Sequence, residues 1–150
     1  MATQLNERIK AHIVTFPYLI QETIEGITVA FVHDALNDSS HTATFKPIEK
    51  EVTANRLDAL FQDIESDVIF YRHGHEHEAS QIKGTKHYIN VGSSGCTKTN
   101  QTHCTIVTFQ PNRYAIQTYD LDYNWQQVLE AFESRNVPEK DFITTIFFNA

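Results

Sequence analysis

Histidines follow two apolar runs of this chain in an arrangement that suits metal binding. His75 and His77 flank a single residue just beyond the run at 67–71, and His33 directly follows the run at 27–32. Imidazole is a common ligand for divalent metals, and an H-x-H pair at a strand end can direct both rings into one pocket. The same pattern also occurs in ordinary solvated loops, so its position relative to the strands decides its meaning.

A third run supports the metal-site interpretation. Residues 88–91 read as a strand, and Gly92-Ser93-Ser94-Gly95 follows it. In α/β proteins, ligands bind just outside the strand ends. Two strands ending in histidine and a third ending in a Gly-Ser loop therefore predict one shared site.

The elements expected to position these residues form an α/β pattern. Residues 18–23 and 27–32 predict a hairpin that turns at Glu25-Gly26. Apolar residues at helical spacing predict an amphipathic helix over 48–65, which leads into the strand at 68–71. Residues 104–109 and 114–119 predict a second hairpin. Helices are expected at the beginning of the chain and after residue 124. The aromatic side chains of the carboxy-terminal helices are expected to pack against the sheet.

Composition restricts the class of protein. The 150 residues fit a single domain, 1–150, and the net charge of −7, with its basic residues scattered singly, argues against nucleic-acid binding. The sequence has no apolar run long enough to span a membrane and no signal-peptide pattern. We therefore expect a cytoplasmic protein. Cys96 and Cys104 lack the number and spacing of a disulfide framework or a zinc site.

The motifs carry a family resemblance. Residues 69–77, Ile-Phe-Tyr-Arg-His-Gly-His-Glu-His, and residues 89–95, Ile-Asn-Val-Gly-Ser-Ser-Gly, resemble the G-H-x-H and N-P-G-S-x-G signatures of the calcineurin-like metallophosphoesterases. The resemblance is especially to the small bacterial phosphodiesterases and dinucleoside-polyphosphate hydrolases. His33 resembles the upstream metal-binding histidine of that family, in the same order along the chain.

The resemblance implies a set of site residues and a cofactor. It implies that His33 and His75 bind one metal and that His77 binds another, in a site for two divalent ions drawn from Mn, Fe, Zn or Ni. The expected substrate is a small phosphorylated molecule, hydrolysed as a phosphate mono- or diester. Other residues are expected to form the wall of the site, namely Gly74, Asn90, Gly92, Ser93, Ser94 and Gly95.

The sequence departs from the family in its carboxylates. It lacks the Asp-x-His, Gly-Asp-x-x-Asp and Gly-Asn-His segments that supply the bridging carboxylate, a further ligand and the general acid. Asp34 stands where the family has glycine, so it is a possible substitute ligand or a side chain that narrows the pocket. The resemblance therefore implies an α/β fold with a mixed sheet, which corresponds to the second half of a four-layer α/β/β/α sandwich. Because the carboxylates are missing, we expect no catalytic activity of this chain alone.

Three functional hypotheses follow. The first is a phosphoesterase whose other half is supplied elsewhere. The second is a non-catalytic fragment or degenerate paralogue that acts as a metal-binding or interaction module, and the third is a mononuclear zinc hydrolase with three histidine ligands. Because half a sandwich leaves a sheet face uncovered, a homo-oligomer is also expected. The histidines outside these motifs are expected to be surface or capping residues: His12, His41, His87 and His103. Glu76 is expected to be a solvated loop carboxylate. Arg72 and Lys98 could attract phosphate, but single basic residues on loops are usually solvated.

Overall fold

The computed structural model describes residues 6–37, 45–46, 52–72, 79–93 and 99–148. Its strands are β1 (Leu19–Ile24), β2 (Ile27–Val32), β3 (Val68–Tyr71), β4 (Ser80–Lys83), β5 (His87–Asn90), β6 (Gln101–Gln110) and β7 (Arg113–Asp122). Its α-helices are α1 (Glu7–Ile13), α2 (Ala54–Leu60), α3 (Trp125–Ser134) and α4 (Lys140–Ile143), and a π-helical turn follows at Thr144–Phe148.

A mixed five-stranded sheet is the centre of the fold, in the order β1-β2-β3-β5-β4. The three inner strands β2, β3 and β5 run parallel, and β1 and β4 flank them in antiparallel pairing. The hairpin between β1 and β2 turns at Glu25 and Gly26, whose φ angles are 51° and 83°, as a tight hairpin turn requires. The prediction of this hairpin is confirmed, whereas β4 was not predicted.

Helix α2 covers one face of the sheet. Its apolar residues pack with side chains of the inner strands in a buried core that includes Leu57, Phe61, Ile69, Tyr71 and Tyr88. The helix is shorter than the predicted 48–65, because the Thr53 hydroxyl caps its first turn and the chain leaves the helix after Leu60. Phe61 and Ile64 remain buried in the turn that follows. The predicted apolar stripe is therefore core, although half of it is not helical.

The ribbon formed by β6 and β7 covers part of the other face. Val107, Phe109, Tyr114 and Ile116 of this ribbon pack against a cluster that includes Val29, Val68, Phe70 and Ile89. The cover is incomplete, because Phe31 remains 40 % exposed. Strand β2 is therefore exposed on one face at Phe31, whereas all residues of β3 are buried.

The carboxy-terminal helices pack on each other. The rings of Phe132 and Phe148 meet edge to face with their centroids 5.8 Å apart. Phe142 is 61 % exposed, so the expectation that the aromatic residues here pack against the sheet is wrong for this side chain. In the part of the chain that the structure describes, no helix has the length and apolarity needed to cross a membrane.

Candidate metal site at the carboxyl edge

The residues that follow β2, β3 and β5 lie at one edge of the sheet, which we call the carboxyl edge. Parallel strands place their carboxyl ends together, and two backbone hydrogen bonds extend this pairing past the strands. The Arg72 N–H donates to the His33 carbonyl at 3.0 Å, and the Val91 N–H donates to the Tyr71 carbonyl at 3.2 Å. His33 therefore lies beside the chain that enters 73–78. Gly74, His75 and His77 fall within that segment, outside the described residues.

His33 and Asp34 differ in how they face this edge. The His33 side chain is exposed, and its ring lies edge to face with Phe45 at a centroid distance of 6.4 Å. Asp34 is buried, and its Oδ1 accepts the backbone N–H of Ala35 at 2.7 Å. The imidazole is thus available to a ligand, whereas one oxygen of the carboxylate already has a backbone partner.

The turn after β5 forms the described part of the site wall. Asn90 is buried, and its Oδ1 accepts the Gly92 N–H at 3.0 Å. Gly92 has a φ of 71°, a conformation that glycine adopts without the strain imposed on other residues. The Ser93 carbonyl accepts the Thr102 hydroxyl at 3.2 Å, which ties the turn to β6. Ser94 and Gly95 lie outside the described residues.

A cavity of about 780 Å³ opens between this edge and β6. Its apolar lining includes the rings of Tyr18, Phe31 and Phe70, and its polar lining includes His33 and His103. Such a combination of aromatic surface and a few convergent polar groups is typical of small-molecule sites.

Arg72 also lines this cavity, which corrects the expectation of a solvated side chain. The side chain is half-buried, and its Nη2 lies 3.4 Å from the Ser93 hydroxyl oxygen. Its Nε is buried without a hydrogen-bond partner among the described residues. A buried N–H donor without a partner costs free energy, so an anionic acceptor at this point would relieve that cost.

His103 is a site residue that the sequence reasoning missed. Its Nδ1 lies 2.7 Å from the Asp120 carboxylate across the β6–β7 ribbon, and its side chain lines the cavity. The usable signal was alternation, because residues 103, 105, 107 and 109 all face the sheet. Because His103 belongs to no recognised motif, the sequence by itself predicts a surface histidine at this position.

The described residues supply only part of a metal-ligand set. They contain no group of three His, Cys, Asp or Glu side chains that could hold an ion. The donor chemistry of His33 suits Zn, Mn, Fe or Ni, and the two further imidazoles that the sequence predicts belong to the segment that begins at the same edge. Of the predicted histidine ligands, the described residues therefore present His33 alone, and the binding of an ion by all three remains a prediction.

No protein-family model and no curated protein matches the sequence. Among solved structures, the hypothetical protein PH1004 from Pyrococcus horikoshii OT3 superimposes on 98% of this chain and 56% of its own, with a TM-score of 0.71 and 9% identity. A metallophosphoesterase from Sphaerobacter thermophilus superimposes on 94% of this chain and 61% of its own, with a TM-score of 0.60 and 12% identity. The fold is that of a metallophosphoesterase.

This likeness concerns architecture alone, because the identities are low. It confirms the predicted α/β class with a mixed sheet, in an arrangement similar to that of the Sphaerobacter thermophilus metallophosphoesterase. The chain spans 56% and 61% of the two structures that it matches, which is less than two thirds of each.

Proposed function

We propose that the carboxyl edge contributes half of a metal-dependent phosphoesterase site, in which His33, His75 and His77 bind divalent metal and a small phosphorylated molecule is the substrate. The observation that carries the proposal is the hydrogen bond from the Arg72 N–H to the His33 carbonyl. It holds the first predicted ligand beside the segment that contains the other two. The metallophosphoesterase fold supports the same assignment.

The metal and the chain would have separate tasks. When bound, a divalent ion in such a site polarises a phosphate oxygen and lowers the pKa of bound water. The Arg72 guanidinium lines the cavity at the same edge, and its positive charge would attract a phosphate oxygen. The His103 imidazole, oriented by Asp120, would accept or donate a proton in the cavity.

Metal binding by purified protein provides the test. Titration with Mn²⁺ or Zn²⁺, followed by calorimetry, should detect weak binding with no more than one ion per chain. His33→Ala should weaken it at least about tenfold, the equivalent of roughly 1.4 kcal/mol. The matched control is His12→Ala, because His12 is an exposed histidine of α1. Equal binding by wild type and His33→Ala would exclude His33 as a ligand.

Catalysis is tested separately with a generic phosphodiester. We expect no appreciable turnover by the 150-residue polypeptide, because three neutral imidazoles do not offset the repulsion between two dications. Robust hydrolysis that disappears in His75→Ala would contradict this expectation and would assign the carboxylate role to Asp34 or Asp38.

A second candidate function is an interaction module that self-associates through the uncovered sheet face. Ile20 and Phe31 are paired neighbours on β1 and β2, and both are exposed. An aromatic side chain has about 200 Å² of surface, so the exposed 40 % of Phe31 amounts to roughly 80 Å² and about 2 kcal/mol on burial. A symmetric pair would bury this area twice, which favours a homodimer.

A further inference from the structure

A second cavity, of about 570 Å³, lies between the edge strand β4 and the ribbon strand β7. We call it the β4–β7 groove. His87, which lines the groove, begins β5 and lies about 10 Å from Asn90, which ends β5 at the carboxyl edge. Six residues line it, namely Gln81, Lys83, His87, Arg113, Tyr114 and Ile116.

The groove gathers positive charge in a chain of net charge −7. Lys83 and Arg113 approach it from opposite walls, and both side chains are exposed. Neither forms an ion pair with a carboxylate within the described ranges. Two like charges that face one cavity repel each other, and an anion between them would replace that repulsion with attraction.

A hydrogen-bonded pair adds a neutral donor to the same groove. His87 Nδ1 lies 2.7 Å from the Tyr114 hydroxyl oxygen. If the hydroxyl donates to Nδ1, the imidazole keeps its Nε2–H, and if Nδ1–H donates to the hydroxyl oxygen, the phenol keeps its O–H. In either arrangement the pair retains one donor that is not used between its members.

We propose that the β4–β7 groove is an anion-binding site for a small phosphate-type ligand, with Lys83 and Arg113 as the charged contacts and the His87–Tyr114 pair as the hydrogen-bond donor. Phosphate is favoured over a monocarboxylate because its several oxygens can meet contacts from both walls at once. The site is independent of the proposed metal centre, because none of its residues lines the cavity at the carboxyl edge.

The protonation of His87 gives the proposal a direct reporter. Burial, followed by the charge of Lys83, lowers the pKa of the His87 imidazole, which favours the neutral ring. Arg113 and Tyr114 face it from β7, and burial together with Asp67 raises the pKa of the Tyr114 hydroxyl. Because a bound anion stabilises the imidazolium, phosphate should raise the pKa of His87.

The experiment is an NMR titration of the histidine ring resonances with inorganic phosphate and, separately, with pyrophosphate, at constant ionic strength set with sodium chloride. We expect saturable shifts of the His87 signals and a higher His87 pKa at saturation. Stronger binding of pyrophosphate would indicate a ligand with linked phosphates, whereas equal binding would indicate a single phosphate group.

Variants locate the site. Lys83→Ala combined with Arg113→Ala should weaken phosphate binding by roughly tenfold or more, and Tyr114→Phe should weaken it less. Arg8→Ala is the matched control, because it removes one exposed positive charge from α1, and it should leave the titration unchanged. His87 signals that do not respond to either anion, or that respond equally in the double variant, would overturn the proposal.

Discussion

Replacing Phe61 tests whether α2 and its turn form the structural support of the carboxyl edge. Phe61 is 1 % exposed. Its ring meets Tyr71 at a centroid distance of 5.3 Å and Tyr88 at 5.9 Å. These tyrosines belong to β3 and β5, two of the strands whose ends form the candidate site. Loss of the ring therefore removes packing directly behind the site.

The magnitude follows from complete burial. Phe61→Ala should lower the free energy of unfolding by about 3–5 kcal/mol, through the lost transfer free energy and the cavity left between the two tyrosine rings. For a chain of this length that corresponds to a decrease in Tm of roughly 10 °C. Phe61→Leu, which keeps more of the apolar volume, should cost about 1–2 kcal/mol.

Urea unfolding followed by circular dichroism at 222 nm measures the difference. The matched control is Phe142→Ala, the same substitution at a side chain that is 61 % exposed, and it should change stability by no more than about 0.5 kcal/mol. If the Phe61→Ala and Phe142→Ala proteins unfold at the same urea concentration, α2 and its turn do not seal this face of the sheet.

Three further predictions concern pH, the first hairpin and assembly. Hydrogen bonds, first that from the Thr85 side chain, hold the pKa of Asp58 below its usual range. The ionised Asp58 therefore stabilises the fold above about pH 4, and this contribution is lost as the pH falls through the lowered pKa. In urea titrations, the free energy of unfolding of Asp58→Asn should therefore decrease less between neutral and acidic pH than that of the wild type. Gly26→Ala should lower the free energy of unfolding by about 1–2 kcal/mol, because Gly26 has a φ of 83° and an added Cβ would lie 2.5 Å from Asn112 Oδ1. An unchanged urea midpoint would refute this prediction. Light scattering should detect a dimer that Phe31→Asp converts to monomer, and a wild-type monomer at micromolar concentration would contradict the proposed self-association.

Local chemistry explains which parts of the fold the sequence could predict. The turn at Glu25-Gly26 and the strands at 27–32 and 68–71 follow from residue types that favour one conformation, and the structure has them at those positions. The extent of α2 does not follow from its apolar stripe, because a buried side chain satisfies that pattern in a helix or in a turn. Phe61 and Ile64 are buried in this second way.

At the candidate site, too, some features follow from the sequence and others do not. The shared edge for His33 and the turn after β5 was predictable, because parallel strands align their carboxyl ends. The half-burial of Arg72 was not, because it depends on Ser93, a residue distant in sequence that the fold brings near. The pairing of His103 with Asp120 follows only when the register of the predicted second hairpin is extended by one residue. The ligand roles of His75 and His77 remain predictions.

The long connection between the parallel strands β2 and β3 affects how the chain folds. Thr28 and Asp67, which join these strands, are 39 residues apart in sequence, whereas the β6–β7 ribbon closes over a two-residue turn. Hairpins form within about 1–10 μs, whereas pairing across a long loop first loses chain entropy and is slow. We therefore expect the carboxyl edge to form after the β6–β7 ribbon, and a ligand that binds at this edge would report the arrival of the native state.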